Sequence, residues 1–236
     1  MKSLARKAQR SRISFANQTA LIICNGEPPS RTLACRLARS AGYVVAADGG
    51  ANIARFYGIR PDVIIGDLDS IKNSTRQFFS SSILLHFSRQ DNTDLEKSLD
   101  FVVTRKIKKA IIIAATGKRL DFTLGNLSVL WNYTSVVDME FVGDGWTAMP
   151  VGPGKTITAP RGTTVSLIPF GNCYGITLKG LQYPLTNASM TVGEIGVSNV
   201  VRSSPFSVRV RKGNMLLLML QKTSRRSRSR RHHERG

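Results

Sequence analysis

The chain has 236 residues, 42% of them hydrophobic, and a formal net charge of +19 at pH 7. That length suffices for one large core or two smaller ones. The longest apolar run, Met215–Leu220, is far shorter than the roughly 20 residues of a membrane-spanning helix, so no membrane partner is predicted. The three cysteines, Cys24, Cys35 and Cys173, lack metal-ligand spacing and suit a reducing compartment, which predicts a cytoplasmic protein.

The first 18 residues form a basic segment with five lysine or arginine residues and no acid. We expect residues 1–18 to be a flexible N-terminal segment. The same composition overlaps with that of mitochondrial transit peptides. Mitochondrial targeting is therefore an alternative to the cytoplasmic location.

Residues 19–143 alternate short β-branched runs with segments of helical spacing. The predicted strands are Ala20–Cys24, Tyr43–Ala47, Val63–Ile65, Ile83–Phe87, Ala110–Ala115 and Val137–Val142. Between them, one face of a helix is predicted from the spacing of Leu95, Leu99, Val102 and Val103. Leu124, Leu127 and Trp131 have a similar spacing. This alternation predicts an α/β domain with a Rossmann-like parallel sheet covered by helices on both faces.

Residues 144–221 have a different pattern. Short apolar runs are separated by glycine, proline and asparagine, and no helical stripe appears. This pattern predicts a second, small all-β domain that follows the α/β domain, either a sandwich or a barrel.

The last segment, residues 222–236, carries a net charge of +6. It cannot bury apolar surface and is predicted to be disordered. Its arginines would contact nucleic-acid phosphates. Because no aromatic residue is interleaved to stack on bases, that contact would be non-specific.

Acidic residues follow four successive predicted strands of the α/β domain. They are Asp48, Asp67, Asp69, Asp94 and Asp121. Because the carboxyl ends of parallel strands lie at one edge of a sheet, we expect these side chains to lie close together. Oxygen ligands without histidine or cysteine favour Mg²⁺. Lys118 and Arg119, beside Asp121, would supply positive charge to substrate phosphates.

Each acid also has a purely structural interpretation. Glycine, aspartate and serine form turns, so Asp67 and Asp69 fit a tight turn. Thr93 and Glu96 have the spacing of a capping box, which places Asp94 in the first turn of a helix. Asp121 fits a helix N-cap.

Four motifs together resemble those of the thiamin pyrophosphokinase family. "ADGGAN", "GDLDS", "DNTD" and "GKRLD" follow one another in that family's order and spacing, and the resemblance extends from about Thr19 to Arg211. It implies an α/β catalytic domain over 19–143 and a thiamin-binding β-sandwich over 144–221. It further implies a homodimer with thiamin at the subunit interface, and Mg²⁺-dependent transfer of the diphosphate of ATP to thiamin with release of AMP.

The resemblance also assigns roles to individual residues. It implies that Asp67, Asp69 and Asp94 bind Mg²⁺. The implied contacts to ATP and thiamin are Asp48, Gln90, Arg119, Asp121, Ser198 and Asn199. The implied catalytic set is Asp67, Asp69, Asp94, Arg119 and Asp121. The chain departs from the family's "GGRLDH" form at Lys118, where glycine is common, and at Phe122, where histidine is common.

Three other functions are compatible with parts of the pattern. A related pyrophosphokinase would use another hydroxyl acceptor, such as a hydroxymethylpterin. A phosphatase of the haloacid-dehalogenase type also has a DxD motif after a strand, but it has no need for "DNTD" or "RLD". An RNA-binding protein driven by the basic tails would leave the acids at the strand ends unexplained.

Overall fold

The computed structural model of the protein describes residues 19–87, 92–194 and 196–221. The basic segments 1–18 and 222–236, and the disorder, targeting and nucleic-acid contact predicted for them, lie outside the described residues, as does Gln90. Within the described ranges, no helix has the length and apolar character needed to cross a bilayer.

A parallel sheet of six strands forms the first half of the described chain. Its strands are β1 (Thr19–Ile23), β2 (Tyr43–Ala47), β3 (Val63–Gly66), β4 (Ile83–His86), β5 (Lys109–Ile113) and β6 (Asp138–Gly143). Their order across the sheet is β6-β5-β1-β2-β3-β4, and all five neighbouring pairs are parallel. This confirms the predicted Rossmann-like α/β architecture.

Helices cover both faces of this sheet. They are α1 (Arg31–Ser40), α2 (Gly50–Tyr57), α3 (Asn73–Phe78), α4 (Asp94–Thr104) and α5 (Leu120–Val129), the last continued by a 3-10 helix at Leu130–Asn132. Alternate strand residues point to opposite faces. Leu21 and Ile23 therefore pack with α1 and α2, whereas Ala20 and Ile22 pack with α4 and the end of α5.

The predicted helical stripes are confirmed with two exceptions. Leu95, Leu99 and Val102 are buried against the sheet, but Val103 is 37% exposed. Leu127 and Trp131 pack against the same core, but Leu124 is 53% exposed. The Thr93–Glu96 capping box is present, and it fixes the start of α4 because each side chain satisfies a backbone N–H of the first turn.

The second half is a β-sandwich. Its strands are β7 (Trp146–Val151), β8 (Lys155–Ile157), β9 (Thr164–Pro169), β10 (Cys173–Lys179), β11 (Leu185–Met190), β12 (Gly196–Val200), β13 (Phe206–Arg209) and β14 (Met215–Leu220). One layer is the four-stranded sheet β11-β10-β13-β8. The other contains β7, β9 and β14, and the apolar side chains of both layers form one core.

The two halves are joined through a shared sheet. β7 pairs antiparallel with β6, and the order β12-β9-β14-β7 continues the parallel strands into a single ten-stranded sheet. The division predicted at residue 143 falls in the β6–β7 hairpin. The carboxyl edge of the parallel strands, where the predicted site residues lie, is thus formed by the first half alone.

Candidate active site

Three aspartates converge at the carboxyl edge of the parallel strands. Asp48 follows β2, Asp67 follows β3, and Asp94 begins α4. One carboxylate oxygen from each lies within 4.8 Å of the other two. Like charges this close repel each other unless a cation lies between them, so the arrangement suits a divalent metal with oxygen ligands.

Asp48 is the most buried of the three. It is 4% exposed, and its Oδ1 atom has no hydrogen-bond partner among the described residues. Its backbone has a left-handed φ of 42°, held by hydrogen bonds from its N–H to the Ile65 carbonyl at 2.7 Å and from the Ala51 N–H to its own carbonyl at 3.0 Å. Burial raises the pKa of the Asp48 carboxyl, and the nearby Asp94 and Asp67 raise it further.

Gly66 provides the space in which Asp48 and Asp94 approach each other. A Cβ atom on Gly66 would lie 2.8 Å from Cβ of Asp48 and 3.2 Å from Oδ1 of Asp94. The first distance is shorter than real Cβ contacts. The glycine of "GDLDS" therefore acts here as a spacer within the carboxylate cluster.

Asp94 is paired with a lysine that the sequence analysis did not single out. Nζ of Lys97 donates to Oδ1 of Asp94 at 3.0 Å, and the lysine side chain is only 7% exposed. Burial raises the pKa of Asp94, and the hydrogen bond and charge of Lys97 oppose that rise. The i, i+3 spacing of Asp94 and Lys97 on a predicted helix is the feature of the sequence that could have indicated this pair.

Asp69 lies outside this group. Its side chain is exposed and accepts a hydrogen bond from Oγ of Ser70 at 3.0 Å. Its N–H donates to Oδ1 of Asp67 at 3.3 Å. The expected pair Asp67 and Asp69 is thus close in the backbone, but only Asp67 directs its carboxylate into the cluster.

Arg119 and Asp121 form a closed pair beside the cluster. Nε and Nη2 of Arg119 donate to Oδ1 and Oδ2 of Asp121 at 3.1 and 2.5 Å, and the Phe122 N–H donates to Oδ1 at 2.9 Å. The guanidinium lies 4.3 Å from the centre of the Phe122 ring. The Arg119 contact holds the pKa of Asp121 below its usual value.

One cavity of about 320 Å³ connects these groups. Its lining includes Asp48, Asp94, Lys118, Arg119, Phe122 and Asn126. Nζ of Lys118 donates to the Asn25 carbonyl at 3.0 Å. The cavity lining therefore combines acids with two cations, a set of groups that can hold a metal–phosphate group.

Ser198 and Asn199 lie elsewhere, on β12. Asn199 is buried, and its side chain is hydrogen-bonded to the backbone of Tyr183. Its Oδ1 accepts a hydrogen bond from the Tyr183 N–H at 3.0 Å, and its Nδ2 donates one to the Tyr183 carbonyl at 2.8 Å. Asn199 lines a second cavity of about 410 Å³ with Tyr183 and Val197. No residue is common to the linings of the two cavities.

Comparisons with known proteins identify the family. The thiamin pyrophosphokinase catalytic-domain model matches residues 34–140, and the model of that family's vitamin B1 binding domain matches residues 155–215. Thiamine pyrophosphokinase 3 of Oryza sativa subsp. japonica is 30% identical over 230 residues, with 84% of this chain and 85% of the relative covered. Thiamine pyrophosphokinase of Bacillus subtilis is 27% identical over 190 residues, with 76% of this chain and 86% of the relative covered.

Solved structures share the fold. The thiamine pyrophosphokinase structure from B. subtilis superposes with a TM-score of 0.77 at 22% identity and covers 87% of this chain and 100% of its own. The Candida albicans thiamin pyrophosphokinase gives a TM-score of 0.78 at 19% identity and covers 88% of this chain and 90% of its own. With the two family models matching more than half of its residues, the chain belongs to the thiamin pyrophosphokinase family of enzymes.

Proposed function

We propose that this enzyme transfers the terminal diphosphate of ATP to the hydroxyl of thiamin and releases AMP. The observation that carries the proposal is the cluster of Asp48, Asp67 and Asp94. Two of its members, Asp48 and Asp94, line a cavity that is also lined by Lys118 and Arg119. Phosphoryl and diphosphoryl transfers depend mainly on positioning and charge neutralisation. Both are available in this cavity.

Positive charge for the polyphosphate would come from two sources. The aspartates of the cluster would hold Mg²⁺, which would supply positive charge to the phosphates. Arg119 and Lys118, which line the same cavity, would contact the phosphates directly. Asp69, which is exposed on the same loop as Asp67, stays a predicted Mg²⁺ ligand from the sequence. Gln90, one of the predicted nucleotide contacts, stays a prediction from the sequence.

The two remaining acids have different roles in this proposal. Arg119 donates hydrogen bonds to both oxygens of Asp121 and lowers the pKa of that carboxyl, so Asp121 orients the cation and is a weak base. Asp94, which lines the cavity, is the better candidate to orient the acceptor hydroxyl toward the β-phosphorus.

The thiamin site is proposed to form between two copies of the chain. The aspartate cavity and the cavity beside Asn199 are separate within one protomer, and the second has exposed Tyr183, Val192 and Val197 near it. Exposed apolar groups of this kind mark interaction surfaces. A homodimer would cover them and bring a second chain to the acceptor site; the mass measured by light scattering at working concentration tests this.

The location and the tails stay predictions from the sequence. We propose a cytoplasmic enzyme, with mitochondrial targeting by residues 1–18 as the alternative. Residues 222–236 would contribute a non-specific, salt-sensitive contact with nucleic acid.

The product of a single incubation tests the proposed reaction. With ATP, Mg²⁺ and thiamin, the enzyme should form AMP and thiamin diphosphate in equal amounts. The Asp94→Asn variant should be slower by about 100-fold, the scale on which one electrostatic contact to a transition state acts. Asp138→Asn, at an exposed carboxylate of β6 paired with Lys155, is the matched control and should retain the wild-type rate.

Other products would contradict the proposal. ADP as the sole nucleotide product would show transfer of the γ-phosphoryl group instead. AMP formed only with a hydroxymethylpterin would show a different acceptor. Inorganic phosphate released without regard to thiamin would indicate a phosphatase, which the family matches do not favour.

A further inference from the structure

We propose that the surface formed by helices α1, α2 and α3 binds single-stranded nucleic acid. This surface, the arginine face, is the solvent side of Arg31–Ser40, Gly50–Tyr57 and Asn73–Phe78. The three helices follow β1, β2 and β3 and lie side by side on one face of the parallel sheet. No residue of these helices lines the aspartate cavity, so the binding surface is separate from the site of the proposed reaction.

Charge distinguishes the two faces of the parallel sheet. Helices α1, α2 and α3 contain five arginines and no acidic residue. On the opposite face, α4 and α5 contain four acidic residues and one lysine, which is buried. A surface that meets only solvent usually mixes both signs. Arginines gathered on one face are instead the electrostatic footprint of a nucleic-acid site.

Several cations of the arginine face have no acidic partner. Arg36 and Arg39 on α1, Arg76 on α3 and Lys72 just before α3 are exposed. None of them belongs to an ion pair within the part of the chain that the structure describes. Their charge is therefore available to an anion from outside, and a nucleic-acid backbone supplies such anions in series.

Two further arginines hold the three helices together. Nε of Arg31 donates to the Tyr57 carbonyl at 3.2 Å, which joins α1 to the end of α2. Nη1 of Arg55 donates to Oγ of Ser74 at 2.6 Å, which joins α2 to α3. Packed helices lie about 8–10 Å apart, so the arginine face is roughly 20 Å wide. It is one ordered surface, wide enough for a short stretch of a nucleic-acid strand.

Exposed aromatic rings make this surface more than a charged one. Phe56 on α2 and Phe78 at the end of α3 are 81% and 63% exposed. Each ring packs on a buried ring, because the Phe56 and Tyr57 centres lie 5.5 Å apart and the Phe78 and Phe79 centres 5.1 Å apart. The Arg55 guanidinium lies 5.3 Å from the centre of the Phe78 ring. Ordered rings beside cations are the features on which proteins stack unpaired bases.

The combination of rings and cations selects among anionic partners. A duplex keeps its base faces within the stack, and an acidic protein surface has no bases, so neither would use the two phenylalanines. A single strand presents both phosphates and unpaired bases. Residues 222–236, with a net charge of +6 and no aromatic residue, would add charge to this contact but no stacking.

Binding of a labelled oligonucleotide tests the rings. The anisotropy of a fluorescein-labelled oligouridylate is followed as full-length wild type or the Phe56→Ala/Phe78→Ala variant is added. The variant should bind the RNA at least about fivefold more weakly, because loss of a stacking ring has effects of this size or larger. Its binding of inorganic polyphosphate, which has no bases, should stay within about twofold of wild type. Equal RNA binding by the two proteins would overturn the inference.

The salt dependence of binding tests the arginines. The triple variant Arg36→Gln/Arg39→Gln/Arg76→Gln removes three proposed phosphate contacts. For a single strand, this should reduce the slope of log K against log salt concentration by about two. A slope equal to that of wild type would overturn the inference.

A matched control removes the same charge from the second half of the chain. Arg161, Lys179 and Arg209 are exposed there, and changing all three to glutamine should alter the slope by less than about one. An equal loss in both triple variants would show attraction to the net charge of the whole protein and would overturn the inference.

Cross-linking gives a readout that needs no variant. With photoreactive thiouridine in the RNA, wild-type peptides from residues 50–60 and 72–79 should carry cross-links. Cross-links confined to residues 1–18 and 222–236 would reduce the contact to the basic end segments and overturn the inference. None of the substituted residues lines the aspartate cavity, so every variant should keep the wild-type catalytic rate, whichever reaction the enzyme performs.

A last set of measurements separates the effect of charge from a failure to fold and from other partners. Arg36→Lys/Arg39→Lys/Arg76→Lys keeps the charge at the same exposed positions and should retain the wild-type salt slope. A loss in this variant as large as in the glutamine variant would contradict a role of charge. Tighter binding of a duplex than of a single strand, or displacement of the RNA by polyglutamate of equal charge, would assign the arginine face to another partner and overturn the inference.

Discussion

Arg119 is held by two different contacts, one ionic and one aromatic. Asp121 fixes the edge of its guanidinium with two hydrogen bonds, and the Phe122 ring lies against its face. A cation stacked on a ring loses little further freedom when it binds a phosphate. Phe122 stands where the family commonly has histidine, so in this chain an apolar ring supports the arginine instead of a polar one.

Removing the ring should weaken the use of ATP without changing the fold. Phe122→Ala should lower kcat/KM for ATP by about two- to fivefold, because an exposed cation–π contact is weak. Phe122→Tyr keeps the stacked ring and should remain close to wild type. Steady-state kinetics at saturating thiamin measure the effect.

Phe56→Ala is the matched control for that experiment. Phe56 is 81% exposed and does not line the cavity, so its removal should leave kcat/KM unchanged. If Phe122→Ala has wild-type kcat/KM for ATP, the stacking seen in the structure has no part in ATP use.

Individual residues differ in how far the sequence could predict them. Lys118 was recognised as a replacement for glycine, and its φ of 55° lies in the left-handed region that glycine adopts freely. The pairing of Lys97 with Asp94 was missed because an i, i+3 pair on a helix is normally exposed and weak. Its burial depends on how α4 packs on the sheet, which the local sequence does not encode.

At the scale of elements, the loop from β3 to α3 decides which acids converge. Leu68, between the two aspartates, has a φ of 66° and a buried side chain in the core under α1 and α2. The chain therefore reverses between Asp67 and Asp69. The alternation of the sequence predicted the strand and the site at its end. The alternation could not predict this reversal, since the reversal depends on the tertiary contacts that bury the Leu68 side chain.

Asn52 on α2 ties this loop to the neighbouring helix. Its Nδ2 donates to the Ser70 carbonyl at 2.9 Å, and its Oδ1 accepts the Lys72 N–H at 3.1 Å. Asn52→Ala should lower the free energy of unfolding by about 0.5–1.5 kcal/mol, because two exposed backbone groups exchange a protein partner for water. It should also raise the Mg²⁺ concentration needed for half-maximal activity, because the loop carrying Asp67 becomes looser.

Urea unfolding and a Mg²⁺ titration measure these two effects. Asn132→Ala, at an exposed asparagine of the 3-10 helix, should change stability by less than about 0.5 kcal/mol. An Asn52→Ala protein with unchanged stability and an unchanged Mg²⁺ requirement would show that the loop holds its shape without this clamp.

At the scale of the whole molecule, the two halves share both a sheet and a core. Ala148 of β7 and Leu216 of β14 belong to the same buried cluster as the strands of the α/β half. The ring centres of Trp131 and Phe170 lie 5.3 Å apart, which adds a contact between the halves. The sequence predicted an α/β half followed by a β-sandwich. The sequence analysis missed that β7 extends the first sheet, although Asp144 and Gly145 form a two-residue hairpin signal between β6 and β7. The pairing of β14 with β7 and β9 joins strands that are far apart in the sequence, and the local pattern does not encode it.

The β6–β7 hairpin is the place to test this coupling. Gly143 pairs with Trp146, and a Cβ atom on Gly143 would lie 2.2 Å from the indole ring. Gly143→Ala should therefore force the ring away and lower the free energy of unfolding by about 1–3 kcal/mol. Gly154→Ala, where a Cβ atom would meet nothing within 4 Å, is the control and should stay within about 0.5 kcal/mol of wild type.

Because the shared sheet couples the halves, far-ultraviolet circular dichroism and tryptophan fluorescence should report one common urea midpoint. In Gly143→Ala both probes should shift to the same lower midpoint. Two separate midpoints, with only one displaced, would mean that the halves unfold independently despite the continuous sheet.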